Sequence, residues 1–232
     1  ESLMRSQRLL GEDHPSLAHA LSHLGALAER RGDYQLAESR LIRALNLYRA
    51  SIGEEQIPVA YNLHGLARLA QAEGQHARAI RLCRQALAIY RKMFSKENRY
   101  IAETLDTLGY SLQVEGQFGE AESVYQKAFD WYRRVRGEDD PQTVAVSIEL
   151  AALSLQRGEL EEAGARVEPL RDRTFEAGEY GWLGAYRDSV VAAYELAAGG
   201  GGAAERRLVS AYEALKTELG PGKRQTHAAL RR

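Results

Sequence analysis

The stretch "RGDYQLAESRLIRALNLYR" occupies residues 31–49, and the chain writes it again as "EGQHARAIRLCRQALAIYR" at 73–91 and "EGQFGEAESVYQKAFDWYR" at 115–133. Each copy begins 42 residues after the last and keeps a glycine second (Gly32, Gly74, Gly116), then Ala37, Ala79, Ala121, then Ala44, Ala86, Ala128, then Tyr48, Tyr90, Tyr132. Gly158 and Ala163 carry the period into a fourth copy, and Gly200 into a fifth. Upstream of the glycines run Leu24, Leu66, Leu108, Leu150 and, one residue on, the small residues Gly25, Ala67, Gly109, Ala151 and Ala193. Several columns sharing one period mark a repeat architecture.

Between the glycines the apolar residues recur at helical spacing: Leu17, Leu21, Leu24 and Ala28 before Gly32, then Ala37, Leu41, Ala44, Leu45 and Tyr48 after it. Each period is therefore two helices, the first ended by a glycine that takes a left-handed conformation without penalty. The small residues let paired helices approach closely. These features give an all-α chain of helix-turn-helix units.

A leucine followed by a small residue, a turn glycine, an aromatic and two alanines seven apart resembles the tetratricopeptide repeat. The 42-residue length and the "LGEDHP" linker are similar to the longer variety of kinesin light chains and many bacterial multidomain proteins. The resemblance implies a right-handed α-solenoid of about five repeats in one domain, with repeats at 11–52, 53–94, 95–136, 137–178 and 179–219. Residues 1–10 then end one truncated repeat and 220–232 open another. Together with the start at Glu1 rather than Met, this suggests a piece of a longer chain. The tail "LVSAYEALKTELGPGKRQTHAALRR" at 208–232 resembles repeats attached to bacterial serine/threonine protein kinases, although no kinase motif is present.

Departures from the pattern carry expectations of their own. Pro169 falls inside the fourth repeat's second helix and should break it, and Leu170 replaces that repeat's second alanine. The fifth repeat has Gly201 where an aromatic is due and needs a one-residue deletion to align Ala204, Leu208 and Ala211. "GGGG" at 199–202 reads as a turn, since no Lys-Ser/Thr follows it.

The linkers could hold chemistry, because "LGEDHPSL" at 10–17 returns as "RGEDDPQT" at 136–143. The intervening linkers "GEEQIP" and "SKENRY" do not keep Glu12, Asp13 and His14 as a ligand set. Capping is the better reading: Pro15 and Pro141 suit a first helical turn, and Asp140 suits a cap.

Composition narrows the function. Lys+Arg 31 against Asp+Glu 32 gives a formal charge of -1, with no global basic field for nucleic acid. A single cysteine, Cys83, in a column shared with Leu41, Tyr125 and Val167, reads as a buried hydrophobe and fits a reducing compartment. No apolar run of ~18 residues offers a membrane span. A cytoplasmic location is expected, and a region outside the cytoplasm of a membrane-anchored parent is also compatible. The arginines 78, 81, 84 and 91 with Lys92 lie on a second helix and read as a solvated face.

In this repeat class the first helices line the concave wall. The wall residues expected to meet a ligand are His19, His23 and Arg30, then Tyr61, His64 and Arg68, then Asp106, Tyr110 and Gln113, and last Ile148, Leu155, Val190 and Tyr194. The family's carboxylate clamp and the kinesin-light-chain asparagines are not matched, the latter column reading His23, Gly65, Thr107, Glu149 and Val191. Lacking a carboxylate at matching spacing, His19, His23 and His64 read as solvated groove histidines, so neither a metal nor another cofactor is expected. Nor does a nucleophile–base cluster point to catalysis.

The sequence thus implies a non-enzymatic, monomeric scaffold that binds a protein or extended peptide, acting as the interaction or regulatory region of a larger bacterial signalling protein. A sensor that binds a small molecule or signal peptide and changes superhelical pitch is the alternative. The wall's passage from polar to apolar suggests a bipartite ligand, with His23 and His64 strengthening acidic-ligand binding as pH falls. End-to-end contacts through Leu3, Leu9, Leu10 and residues 225–232 are expected.

Overall fold

A computed structural model describes residues 14–175, 180–220 and 224–230. Leu3, Leu9, Leu10, Glu12 and Asp13 lie outside the described residues. Among those described the chain forms eleven α-helices and one 3-10 turn, with no strand. It divides into two compact units, residues 1–115 and 116–232, the boundary falling in the turn within the third repeat.

The first unit holds α1 (Leu17–Arg30), α2 (Tyr34–Ile52), α3 (Ile57–Ala72), α4 (His76–Met93) and α5 (Arg99–Val114). Consecutive helices pack on one another, and the first helices α1, α3 and α5 also touch in sequence. The short turns make neighbours antiparallel. At the α1–α2 turn Gly32 has φ +80, and the Asp33 amide donates to the Ala28 carbonyl at 3.0 Å, closing the helix end. The Asp33 carboxylate then accepts from the Leu36 amide, so one residue ends the turn and starts α2.

The small-residue columns have a measurable purpose. Leu41 of α2 is 1% exposed and wedges against both α1 and α3. A Cβ on Gly25 would stand 2.8 Å from Leu41 Cγ, and one on Gly65 would stand 3.0 Å from Leu41 Cδ1. Fully burying a leucine contributes about 1.5–3 kcal/mol. That burial requires two glycines here.

The second unit holds α6 (Phe118–Arg136), α7 (Pro141–Gln156), α8 (Leu160–Val167), α9 (Trp182–Ala197), α10 (Gly202–Leu219) and α11 (Arg224–Leu230). The octet is carpentry at its second occurrence: Pro141 opens α7, and the Asp140 carboxylate accepts from the Gln142 amide at 3.0 Å. At the first occurrence Pro15 lies just ahead of α1, whose described start is Leu17.

Pro169 breaks its helix as expected. α8 stops after 8 residues, and Glu168–Leu170 continue as a 3-10 turn. The fifth turn glycine is Gly199, φ +91, rather than Gly200. The same closing bond fixes the register, from Glu159 to Ser154 in the fourth repeat and from Gly200 to Glu195 in the fifth. The deleted residue therefore lies ahead of this turn and not within α10.

Gly25→Ala should destabilise the protein by about 1–3 kcal/mol through overpacking. In a double-mutant cycle followed by urea unfolding, adding Leu41→Val should recover about 1 kcal/mol of that loss. Simple additivity of the two changes would show that Leu41 and Gly25 do not share the strain.

Candidate functional site

In the first unit the solvent-facing side of α1 presents His19, His23 and Arg30, all exposed. The two histidines lie four residues apart on one helix face. Their Nε2 atoms are 3.0 Å apart and their rings 4.3 Å apart, so one ring N–H is shared between them. Beside them opens a cavity of about 300 Å³, bounded by Ser22, Tyr48, Tyr61, Asn62, Arg99 and Tyr100. Tyr61 is half-buried and meets Tyr100 edge-on at 6.5 Å, while Arg99 lies 5.4 Å from the Tyr100 ring centre. Asn62 is fully buried; its amide donates to the Pro58 carbonyl and its Oδ1 has no partner among the described residues. Burial also raises the Tyr48 hydroxyl pKa.

The rest of the expected first-unit wall is largely spent on holding helices together. Arg68 grips Glu29 through two bonds, of 2.9 and 2.5 Å, tying α3 to α1. Gln71 of α3 donates to the Thr107 carbonyl and the Ser111 hydroxyl of α5. His64 is not a solvated groove residue: it is 3% exposed and lies 3.0 Å from Thr107 Oγ1. That hydroxyl gives its own proton to the Glu103 carbonyl, so His64 donates from Nε2. Burial, with Arg68 nearby, holds the imidazole pKa down at about 3. Tyr110 and Gln113 are also buried, and Tyr110 packs edge-on to His76 of α4 at 5.8 Å. Asp106 is half-buried.

In the second unit the apolar half of the expected wall is core. Ile148 and Val190 are both 0% exposed, so they are packing residues. Tyr194 is half-buried and turned onto α8: a Cβ on Gly164 would meet its hydroxyl at 2.7 Å, and Arg171 lies over its ring at 5.8 Å. Leu155 is half-buried. The apolar half of the bipartite wall is thus corrected, Ile148 and Val190 being core. Glu149 is 1% exposed and paired with Arg224 of α11 at 2.6 Å, joining α11 to α7.

Among the described residues no group of three metal-ligating side chains comes together, and no helix is long and apolar enough to cross a membrane. Asn62, Arg99 and Tyr100 were missed from the sequence because they sit at helix starts or on the inward side, where no column marks a wall.

His64 has a consequence for stability. Its folded pKa lies below the unfolded value, so the unfolded chain binds the extra proton and stability falls as pH drops from about 6.5 toward 3. The slope contributed by this one group approaches about 1.4 kcal/mol per pH unit. His64→Gln should remove that slope in urea titrations at pH 6.5 and 4.5; an unchanged slope would show His64 is charged or solvated in the fold.

The tetratricopeptide repeat family model matches residues 1–50, 16–92 and 100–168. No curated protein matches the chain in sequence. Among solved structures, BtubC (BKLC) from P. vanneervenii is similar over 94% of this chain and 89% of that one, at TM-score 0.72 and 22% identity. A kinesin-light-chain-like protein of Podosopora anserina with nearly identical TPR-like repeats covers 90% of this chain and 100% of that one, at TM-score 0.67 and 22% identity. YrrB, a TPR protein with an unusual peptide-binding site, covers 100% and 97%, at TM-score 0.55 and 14% identity. With the 42-residue period, the paired helices and a family match over more than half of its length, the chain belongs to the tetratricopeptide repeat family.

Proposed function

We propose that the chain is a non-enzymatic peptide-binding module whose ligand lies along α1, α3 and α5 of the first unit. The observation that carries this reading is the cavity of about 300 Å³, where the exposed His19–His23 pair, Tyr61 and Arg99 converge on open space. Exposed histidines and an arginine beside tyrosine rings suit an extended peptide with an acidic side chain: the rings take apolar stems, and the basic groups take the carboxylate. The family supports the reading, since tetratricopeptide repeats generally mediate protein or peptide binding, and YrrB is described by its peptide-binding site. The resemblance of residues 208–232 to kinase-attached repeats supports a regulatory place within a larger bacterial signalling protein.

A fluorescence-anisotropy screen of labelled peptides sorted by charge tests this. Acidic peptides should bind more tightly than basic ones of equal length, and Tyr61→Ala or His23→Gln should each weaken the best binder by about 10-fold. Equal binding of both charge classes, or indifference to both substitutions, would move the site off this wall.

A further inference from the structure

The second unit contains a cavity created by a missing half-helix. The second helices of the other repeats run 19, 18, 19 and 18 residues, whereas α8 ends after 8. In repeats two and three the register of Tyr90 and Tyr132 is filled by a buried ring; in repeat four it falls on Thr174, exposed and beyond the break at Pro169. Beside the break lies a space of about 370 Å³, walled by Phe129, Leu150, Pro169 and Leu170, with Ser147 along one side. That volume is at the small end of the range for small-molecule sites.

The polar groups at its edge differ in how far they are engaged. Arg166 is held by Glu122 at 2.7 Å and Glu162 at 2.6 Å, so its charge is spent. Arg173 donates through Nε to the Pro169 carbonyl and through Nη1 to the Glu138 carbonyl. Among the described residues its one carboxylate partner is Asp139, at 3.2 Å and 98% exposed, and Nη2 has no partner. An exposed pair of this kind is worth little and is readily exchanged. The loop is anchored from the other side: Arg187 of α9 donates to the Arg173 carbonyl and lies over the Phe175 ring at 5.6 Å. Glu138 also borders the space, but the residue is solvent-exposed, where water screens the repulsion of its charge. Arg173 is thus a positioned guanidinium with donors to spare beside an apolar hole.

We propose that this cavity binds a small amphipathic carboxylate, its aromatic or branched apolar body filling the space left by the broken helix and its carboxylate accepting from Nη2 of Arg173. The site is separate from the peptide wall and does not depend on it.

Titration of the full chain with 4-phenylbutyrate and, separately, 4-phenylbutyramide, followed by amide NMR shifts, tests the assignment. The acid should perturb the amides of Ser147, Leu170 and Arg173 and bind about 10-fold more tightly than the amide. Arg173→Gln should bring the two ligands within about twofold, while Arg173→Lys keeps part of the preference. Ser147→Trp, which places an indole in the space, should abolish binding of both with the helical circular dichroism retained. Equal affinity for acid and amide, shifts mapping elsewhere, binding that survives Ser147→Trp, or no shift with either ligand at millimolar concentration would each overturn it.

Discussion

A leucine comes closest to two helices at once where both give up a methyl group at the point of contact. Leu41 does so between Gly25 of α1 and Gly65 of α3, at would-be Cβ distances of 2.8 and 3.0 Å. That close approach sets how α2 seats between successive first helices, and with it the spacing at which His19, His23, Tyr61 and Arg99 border one cavity. In the next repeat the register-equivalent pair is Cys83 and Ala67: volume is lost at one position and a methyl gained at the other. Burial raises the Cys83 pKa to about 12, so the thiol serves as packing volume and not as a nucleophile.

Once the helices are stacked this tightly, polar groups on their facing sides must be paired or pay for desolvation. The first unit meets that requirement with Glu29–Arg68, His64–Thr107 and Gln71 to Thr107 and Ser111. The second unit meets it with Glu149 and Arg224, which adds little net stability but makes the place of α11 specific, because separating them strands a buried charge. In the proposed reading a ligand is met by polar groups outside these networks. On the first unit's wall that leaves the end near α1 and the start of α5.

The period, the helix ends and the broken α8 were legible because each has a local cause: a glycine with positive φ, a capping carboxylate, a proline without an N–H. Exposure was less legible, since wall and packing sides share a helix and differ by about 100° of rotation per residue. His64 illustrates the difficulty. It lies 42 residues after Ser22, which is buried, and not after His23, so the period itself puts His64 inside. Tyr194 illustrates the other failure. With the fifth turn at Gly199, the offset across α9 is 41, and Tyr194 matches Leu153, which is buried. The deletion bears on the fifth repeat alone; Ile148, in the fourth, is core without it.

The same reasoning separates the two cavities by origin. The first-unit cavity lies on a regular part of the array, where any repeat of this length brings first helices side by side, and its character comes from the side chains placed there. The second-unit cavity comes from a backbone event. Pro169 removes a hydrogen-bond donor and ends α8, so the buried tyrosine register of the preceding repeats has no successor. Burying Leu170 at 2% exposure keeps the floor of that space closed, while Arg173 is tethered at its edge by carbonyls on both flanks. A hole that merely reflected poor packing would have no reason to hold a guanidinium in place. The tethering joins the Pro169 carbonyl freed by the break to the Glu138 carbonyl of the α6–α7 linker, and it supports reading the space as a site rather than a void.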